Sequence, residues 1–161
     1  MAALGPGDRF PVLDLVSADG RPAPRTSGET LYGFFKTTCP TCELTWPFLE
    51  RLRSYGDGDR AIVAVSQDPP AETEAFNERL GVRVPTFYDP PPWKASATLG
   101  LTTVPTLVLV DESGRIRETV VGFQKRKLED LAGRAAPPTD AGDRTGGLFR
   151  PGESVPEMRP G

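Results

Sequence analysis

The sequence has 161 residues, 37% of them hydrophobic, with 19 basic against 22 acidic side chains and a net charge of −3. That length suits one domain with a sizeable core, and the slight acidic balance argues against partners such as nucleic acid or an anionic membrane. There is no histidine, which excludes Cys-His and Ser-His nucleophile pairs and removes the commonest ligand of transition metals.

The opening stretch MAALGPGDRFPVLDL has neither a basic nor an apolar region of the kind a signal peptide carries. No later segment approaches the roughly 18 apolar residues of a membrane span. The chain is therefore expected to be soluble and cytoplasmic, although an exported protein whose leader had been removed would read the same way.

Residues 9–23 predict two short extended pieces around a turn at Asp19-Gly20. TLYGFFK (30–36) is apolar and aromatic, as a buried strand should be. After Cys39 the period changes: Leu44, Phe48, Leu49 and Leu52 fall at helical spacing, with Pro47 inside the run as a kink. AIVAVSQ (61–67) predicts a second buried strand and AETEAFNERLG (71–81) a helix closed by Gly81. TFYD (86–89) and WKASATLG (93–100) suit a short strand and a short helix. PTLVLVD (105–111) and RIRETVVG (115–122) predict an antiparallel pair around a turn at 111–114. KRKLEDLAGR (125–134) predicts the closing helix. This order specifies an α/β domain over residues 1–134, a central mixed sheet with helices on both faces. Residues 135–161 are rich in Pro and Gly and poor in large apolar side chains. They predict a tail that is flexible or surface-draped and contributes no core, with docking of GGLFRPG (146–152) left open.

Cys39 and Cys42 are the only two cysteines. At i and i+3 where a strand gives way to a helix, they share one face of the first helical turn. There the free N–H groups and the helix dipole favour negative charge, which favours the thiolate of Cys39. Cys42, one turn further in, should be the more buried and within reach of a disulfide formed by its neighbour. A structural disulfide closing so short a loop would contribute only about 2 kcal/mol and would not persist in a reducing compartment. A zinc site is weaker still, because zinc wants four ligands and the chain offers two cysteines and no histidine. The pattern therefore points to reversible dithiol–disulfide chemistry with no metal and no cofactor.

FFKTTCPTCELTWPFLERL (34–52) resembles the active-site strand and helix of thioredoxin-fold thiol–disulfide oxidoreductases, with Pro47 as the kinking proline of that helix. TTVPTLVLVDESGRI (102–116) resembles the segment bearing that fold's cis-proline, which would be Pro105. GDRFPVLDLVSADGRP (7–22) resembles the N-terminal extension of the redoxin branch, TlpA/ResA-type proteins in particular. The resemblance implies a thioredoxin-like fold with Cys39 as nucleophile and Cys42 as resolving thiol. It implies substrate contacts at Val104 and Pro105. Thr38 is a further candidate contact, and Trp46 and Trp93 suit either an apolar rim there or ordinary packing. The expected partners are a protein disulfide substrate and an upstream thiol reductant, with the chain acting as a monomer.

Departures from the pattern are informative. Thr38 stands where thioredoxins commonly have Trp, Gly33 where thioredoxin has its buried acid, and Thr45 where TlpA/ResA-type proteins often place a glutamate. Glu43 or a water is then the candidate proton acceptor for Cys42, with Glu43 also fitting a solvated first-turn carboxylate favoured by the helix dipole. The peroxiredoxin loop P-x-x-x-[TS]-x-x-C is absent, since Tyr32 and Lys36 precede Cys39 at its defining positions. Thiol peroxidase activity stays open as a second reading. A non-catalytic binding module that senses redox state stays open as a third.

Overall fold

β1 (Glu29–Phe35) is apolar on both faces because both faces are covered. Leu31 and Phe35 point into one hydrophobic cluster and Phe34 into another, as the two-residue period of a strand dictates. The computed structural model describes residues 3–23, 28–54, 60–133, 148–149 and 152–161. In it β1 is the middle of a five-stranded sheet. It pairs in parallel with β2 (Arg60–Ser66), which pairs in parallel with β3 (Thr86–Tyr88). On its other side β1 pairs antiparallel with β4 (Thr106–Val110), and β4 pairs antiparallel with β5 (Ile116–Val121). The order β3-β2-β1-β4-β5 is the mixed sheet expected.

Helices lie on both faces. The cluster on one side takes Trp46, Phe48, Leu49 and Leu52 from α1 (Pro40–Ser54), Phe76 from α2 (Pro70–Leu80), and Leu128 and Leu131 from α4 (Lys125–Ala132). The other side is covered by α3 (Lys94–Leu99) and by Leu4, Phe10, Leu13 and Leu15 of the N-terminal segment. That segment is not a strand. Its strand-like pairing with the sheet is limited to isolated bridges, Arg9 to Arg115 and Val16 to Tyr88, because prolines and turns interrupt any continuous ladder. Pro47 lies within α1, where its ring removes the N–H that would reach the carbonyl of Glu43.

The expectation that the tail contributes no core is corrected at Leu148 and Phe149, which are buried in the same cluster as α1 and α4. Phe149 packs on Phe48 at 4.6 Å between ring centroids and on Phe123 at 6.1 Å. Two adjacent large apolar residues suffice for this, since burying each is worth about 1.5–3 kcal/mol whatever the composition around it. Further on, β7 (Met158–Arg159) pairs antiparallel with β6 (Phe123–Gln124), a two-stranded sheet that no hydrophobic period announces. The remainder of the tail, residues 134–147 and 150–151, lies outside the described residues.

Candidate active site

The two thiols occupy the junction between β1 and α1. Cys39 immediately precedes the helix and is partly exposed, whereas Cys42 sits inside the first turn with no solvent contact. Both are free thiols. The Cys42 backbone N–H donates to Cys39 Sγ at 3.2 Å, so a helix-terminal donor that lacks an intrahelical partner is aimed at the sulfur. Cys39 Sγ also donates to the carbonyl oxygen of Val104 at 3.5 Å. The Val104–Pro105 bond is cis. The loop before β4 lies against the start of α1, and Thr38, Cys39 and Val104 line one open cleft of about 610 Å³.

Burial pushes the Cys42 thiol well above the ordinary thiol range. The hydrogen bond with Cys39 acts in the same sense, as do, more weakly, the charges of Cys39 and Asp68; the Lys36 backbone opposes them. A low-dielectric surrounding disfavours the thiolate, so Cys42 is held protonated behind its more accessible neighbour.

Asp68 is the residue that sequence reasoning missed. Its carboxylate accepts from the Thr37 N–H at 2.7 Å and from Thr37 Oγ1 at 2.9 Å, tying the loop before α1 to the loop before α2. The signal was present in the strands: β1 and β2 run parallel with Phe35 opposite Ser66, so the two residues following each strand become neighbours at the same edge.

The other candidates fall into place unequally. Trp93 lines the cleft with Cys39, donating its Nε1–H to the Gln67 carbonyl at 3.1 Å with the Lys36 ammonium 5.2 Å from its ring centroid. Asp89 fixes this wall by accepting from the N–H groups of Ala95 and Ser96 at 3.0 and 2.9 Å. The expectation that Trp46 contacts substrate is corrected, because its side chain is 0% exposed and packs at a tilt against Phe35, 4.3 Å between ring centroids. Trp46 follows the buried Cys42 by four residues in α1, so the helical period puts both on the face turned toward the sheet. Glu43 forms an ion pair with Arg79 of α2, which commits its carboxylate to a partner other than Cys42.

The two substituted acid positions are also accounted for. Trp46 and its neighbours fill the space at Gly33: a Cβ there would lie 3.1 Å from Leu107, 3.2 Å from Trp46 and 3.3 Å from Leu49. Thr45 is buried and donates to the Thr41 carbonyl at 2.7 Å. Among the described residues, no group of three or more His, Cys, Asp or Glu is placed to hold a metal ion. Among them, too, no helix is long and apolar enough to cross a membrane.

Comparison with known proteins agrees with this fold. Residues 6–134 match the sequence model of the Redoxin family. The thiol-disulfide oxidoreductase ResA of Bacillus anthracis is 28% identical over 107 residues, covering 65% of this chain and 61% of the relative. The ResA of Halalkalibacterium halodurans is 32% identical over 97 residues, covering 59% of this chain and 54% of the relative. The chain thus spans about three-fifths or less of the length of these curated relatives. Among solved structures, a thiol-disulfide oxidoreductase from Bacteroides fragilis superimposes with a TM-score of 0.67 at 18% identity, covering 77% of this chain and 99% of the other. StoA from Bacillus subtilis gives 0.63 at 19%, covering 76% and 96%. At those identities the structural likeness concerns the thioredoxin fold.

Proposed function

The chain belongs to the Redoxin family, and on that premise we propose that it is a thiol–disulfide oxidoreductase working through the Cys39–Cys42 dithiol. The observation that carries the reading is the pairing of a partly exposed Cys39 with a fully buried Cys42 one helical turn behind it, whose N–H points at the Cys39 sulfur.

The Cys39 thiolate attacks one sulfur of a substrate disulfide. A Cys39–substrate S–S bond forms, the substrate S–S bond breaks, and the second substrate sulfur leaves as a thiolate. Cys42 then gives up its proton to that departing thiolate and attacks Cys39 Sγ. The Cys39–Cys42 disulfide forms, and the substrate's remaining sulfur is released as a thiolate that takes a proton from solvent. Two electrons have passed from the dithiol to the substrate, and an upstream thiol reductant returns them. Neither a metal nor an organic cofactor enters this scheme. Glu43, paired with Arg79, is not assigned the proton.

A protein disulfide is the substrate class we favour, because Val104 and Thr38 offer an extended peptide a backbone edge beside the nucleophile. Exchange potentials among C-x-x-C proteins span more than about 100 mV. Net direction therefore follows from the compartment, and in a reducing one the chain acts as a reductase. Reduction of insulin disulfides tests the proposal. Turnover dependent on both thiols, lost in Cys39→Ser and Cys42→Ser, supports it. No turnover with both thiols intact and titratable favours the redox-sensing binding module.

A further inference from the structure

The cleft beside Cys39 already holds a piece of the chain's own backbone. Glu157 accepts from the Lys125 N–H at 3.0 Å, and Met158 and Arg159 pair antiparallel with Gln124 and Phe123. The Pro160 carbonyl accepts from Thr41 Oγ1, between the two cysteines, at 2.7 Å. Gly161 lines the cleft with Cys39 and Val104. It approaches so closely that a Cβ on it would lie 2.0 Å from the Val104 oxygen and 2.7 Å from Thr103 Oγ1. Gly122 accommodates the same approach from the other side: at φ +72° it leaves room for the Arg159 oxygen, which a Cβ would meet at 2.6 Å.

The two ends of this segment are held differently. Upstream, Leu148 and Phe149 are buried, and the Arg51 guanidinium grips the Glu153 carboxylate through both nitrogens at 2.6 and 2.8 Å. Downstream, residues 156–161 are exposed and are held by a few main-chain and hydroxyl contacts and by a Lys125–Glu157 ion pair at 3.8 Å. A buried anchor followed by an exposed strap opens locally without unfolding the domain.

We infer that residues 157–161 form an autoinhibitory strap, an intramolecular peptide that occupies the Val104 edge and must leave before an extended substrate can pair there. This inference rests on the dithiol reading above. Because the occupant is tethered, it competes at a high effective concentration, and it lowers the apparent affinity for extended substrates by the fraction of time the strap is open. A small disulfide that needs only the sulfur is spared that competition.

The test uses the full chain carrying Cys42→Ser and ¹⁵N label. An extended peptide bearing a cysteine activated with thionitrobenzoate is coupled to Cys39, the peptide–Cys39 disulfide forming as thionitrobenzoate leaves. A parallel sample receives a methylthio group from methyl methanethiosulfonate. Coupling of activated reagents does not require enzymatic turnover, so failure to reduce insulin would sink the proposed function and leave this measurement intact. The strap predicts that the Met158, Arg159 and Gly161 amide resonances move to unstructured positions in the peptide adduct and stay in place in the methylthio adduct. Unmoved resonances in both adducts overturn it. Gly161→Val and Thr41→Val supply an independent arm. Each should raise the coupling rate of the activated peptide by at least about threefold relative to that of the small reagent, and an unchanged ratio contradicts the inference.

Discussion

Cys39 Sγ and the carbonyl oxygen of Val104 lie 3.5 Å apart although the two residues are 65 positions apart in the chain. The antiparallel pairing of β1 with β4 causes this. Phe34 stands opposite Thr106, so the residues following β1 and those preceding β4 emerge at the same end of the sheet. Cys39 thus meets a backbone edge through sheet topology.

The buried position of Cys42 predicts a pH dependence of stability. Its thiol is raised in the folded chain and titrates near about 8.5 when unfolded. Below that value the thiol is protonated in both states and the contribution is fully present. Above it the unfolded state gains a thiolate that the folded state resists, so stability falls as pH rises, by up to about 1.4 kcal/mol per unit. Urea melts of the reduced chain between pH 7.5 and 10 should lose stability more steeply than Cys42→Ala. Parallel slopes would contradict the burial argument.

Gly33 predicts a packing cost. An added Cβ meets Leu107, Trp46 and Leu49 between 3.1 and 3.3 Å, and all three side chains are fully buried. Gly33→Ala should lose about 1–3 kcal/mol by overpacking. Gly33→Asp should lose more, since it also buries a carboxyl among apolar groups. Chemical denaturation measures both, and a neutral aspartate would show that the space is larger than described.

Leu148 and Phe149 predict that the tail stabilises the domain. Leu148→Ala should cost about 2–5 kcal/mol and Phe149→Ala about 3–5 kcal/mol, measurable as lowered urea midpoints. Losses within about 0.5 kcal/mol, typical of surface positions, would mean that these residues do not pack in the core.

Asp68 predicts separable effects on structure and reactivity. Asp68→Ala leaves the Thr37 N–H and hydroxyl without their acceptor and should cost about 1–3 kcal/mol. Asp68→Asn keeps an acceptor oxygen and removes the negative charge that helps hold Cys42 protonated. Its Cys42 should therefore be alkylated faster than wild type at pH 8 in a Cys39→Ser background. Slower or equal alkylation would remove Asp68 from the electrostatics of the site.

Strands β1 to β5, helices α1 to α4 and the thiol pair were legible because periodicity, turn residues and the C-x-x-C spacing are local signals. What was not legible is non-local. Asp68 reaches the site through the parallel register of β1 and β2, which no single segment encodes. Trp46 carries an aromatic composition that suits a rim or a core equally, and its place in the helical turn decides for the core. Leu148 and Phe149 are two apolar residues in a stretch of Gly, Pro and charge, too few to generate a period. β6 and β7 pair only two residues each, below the length at which alternation can be seen.

The division of labour between the two sulfurs is tested most directly by trapping. Cys42→Ser protein is incubated with a peptide disulfide, quenched in acid, digested and mapped by mass spectrometry. The account predicts a stable mixed disulfide on Cys39 in Cys42→Ser and none on Cys42 in Cys39→Ser. Equal trapping at both positions, or trapping at Cys42 alone, would contradict it.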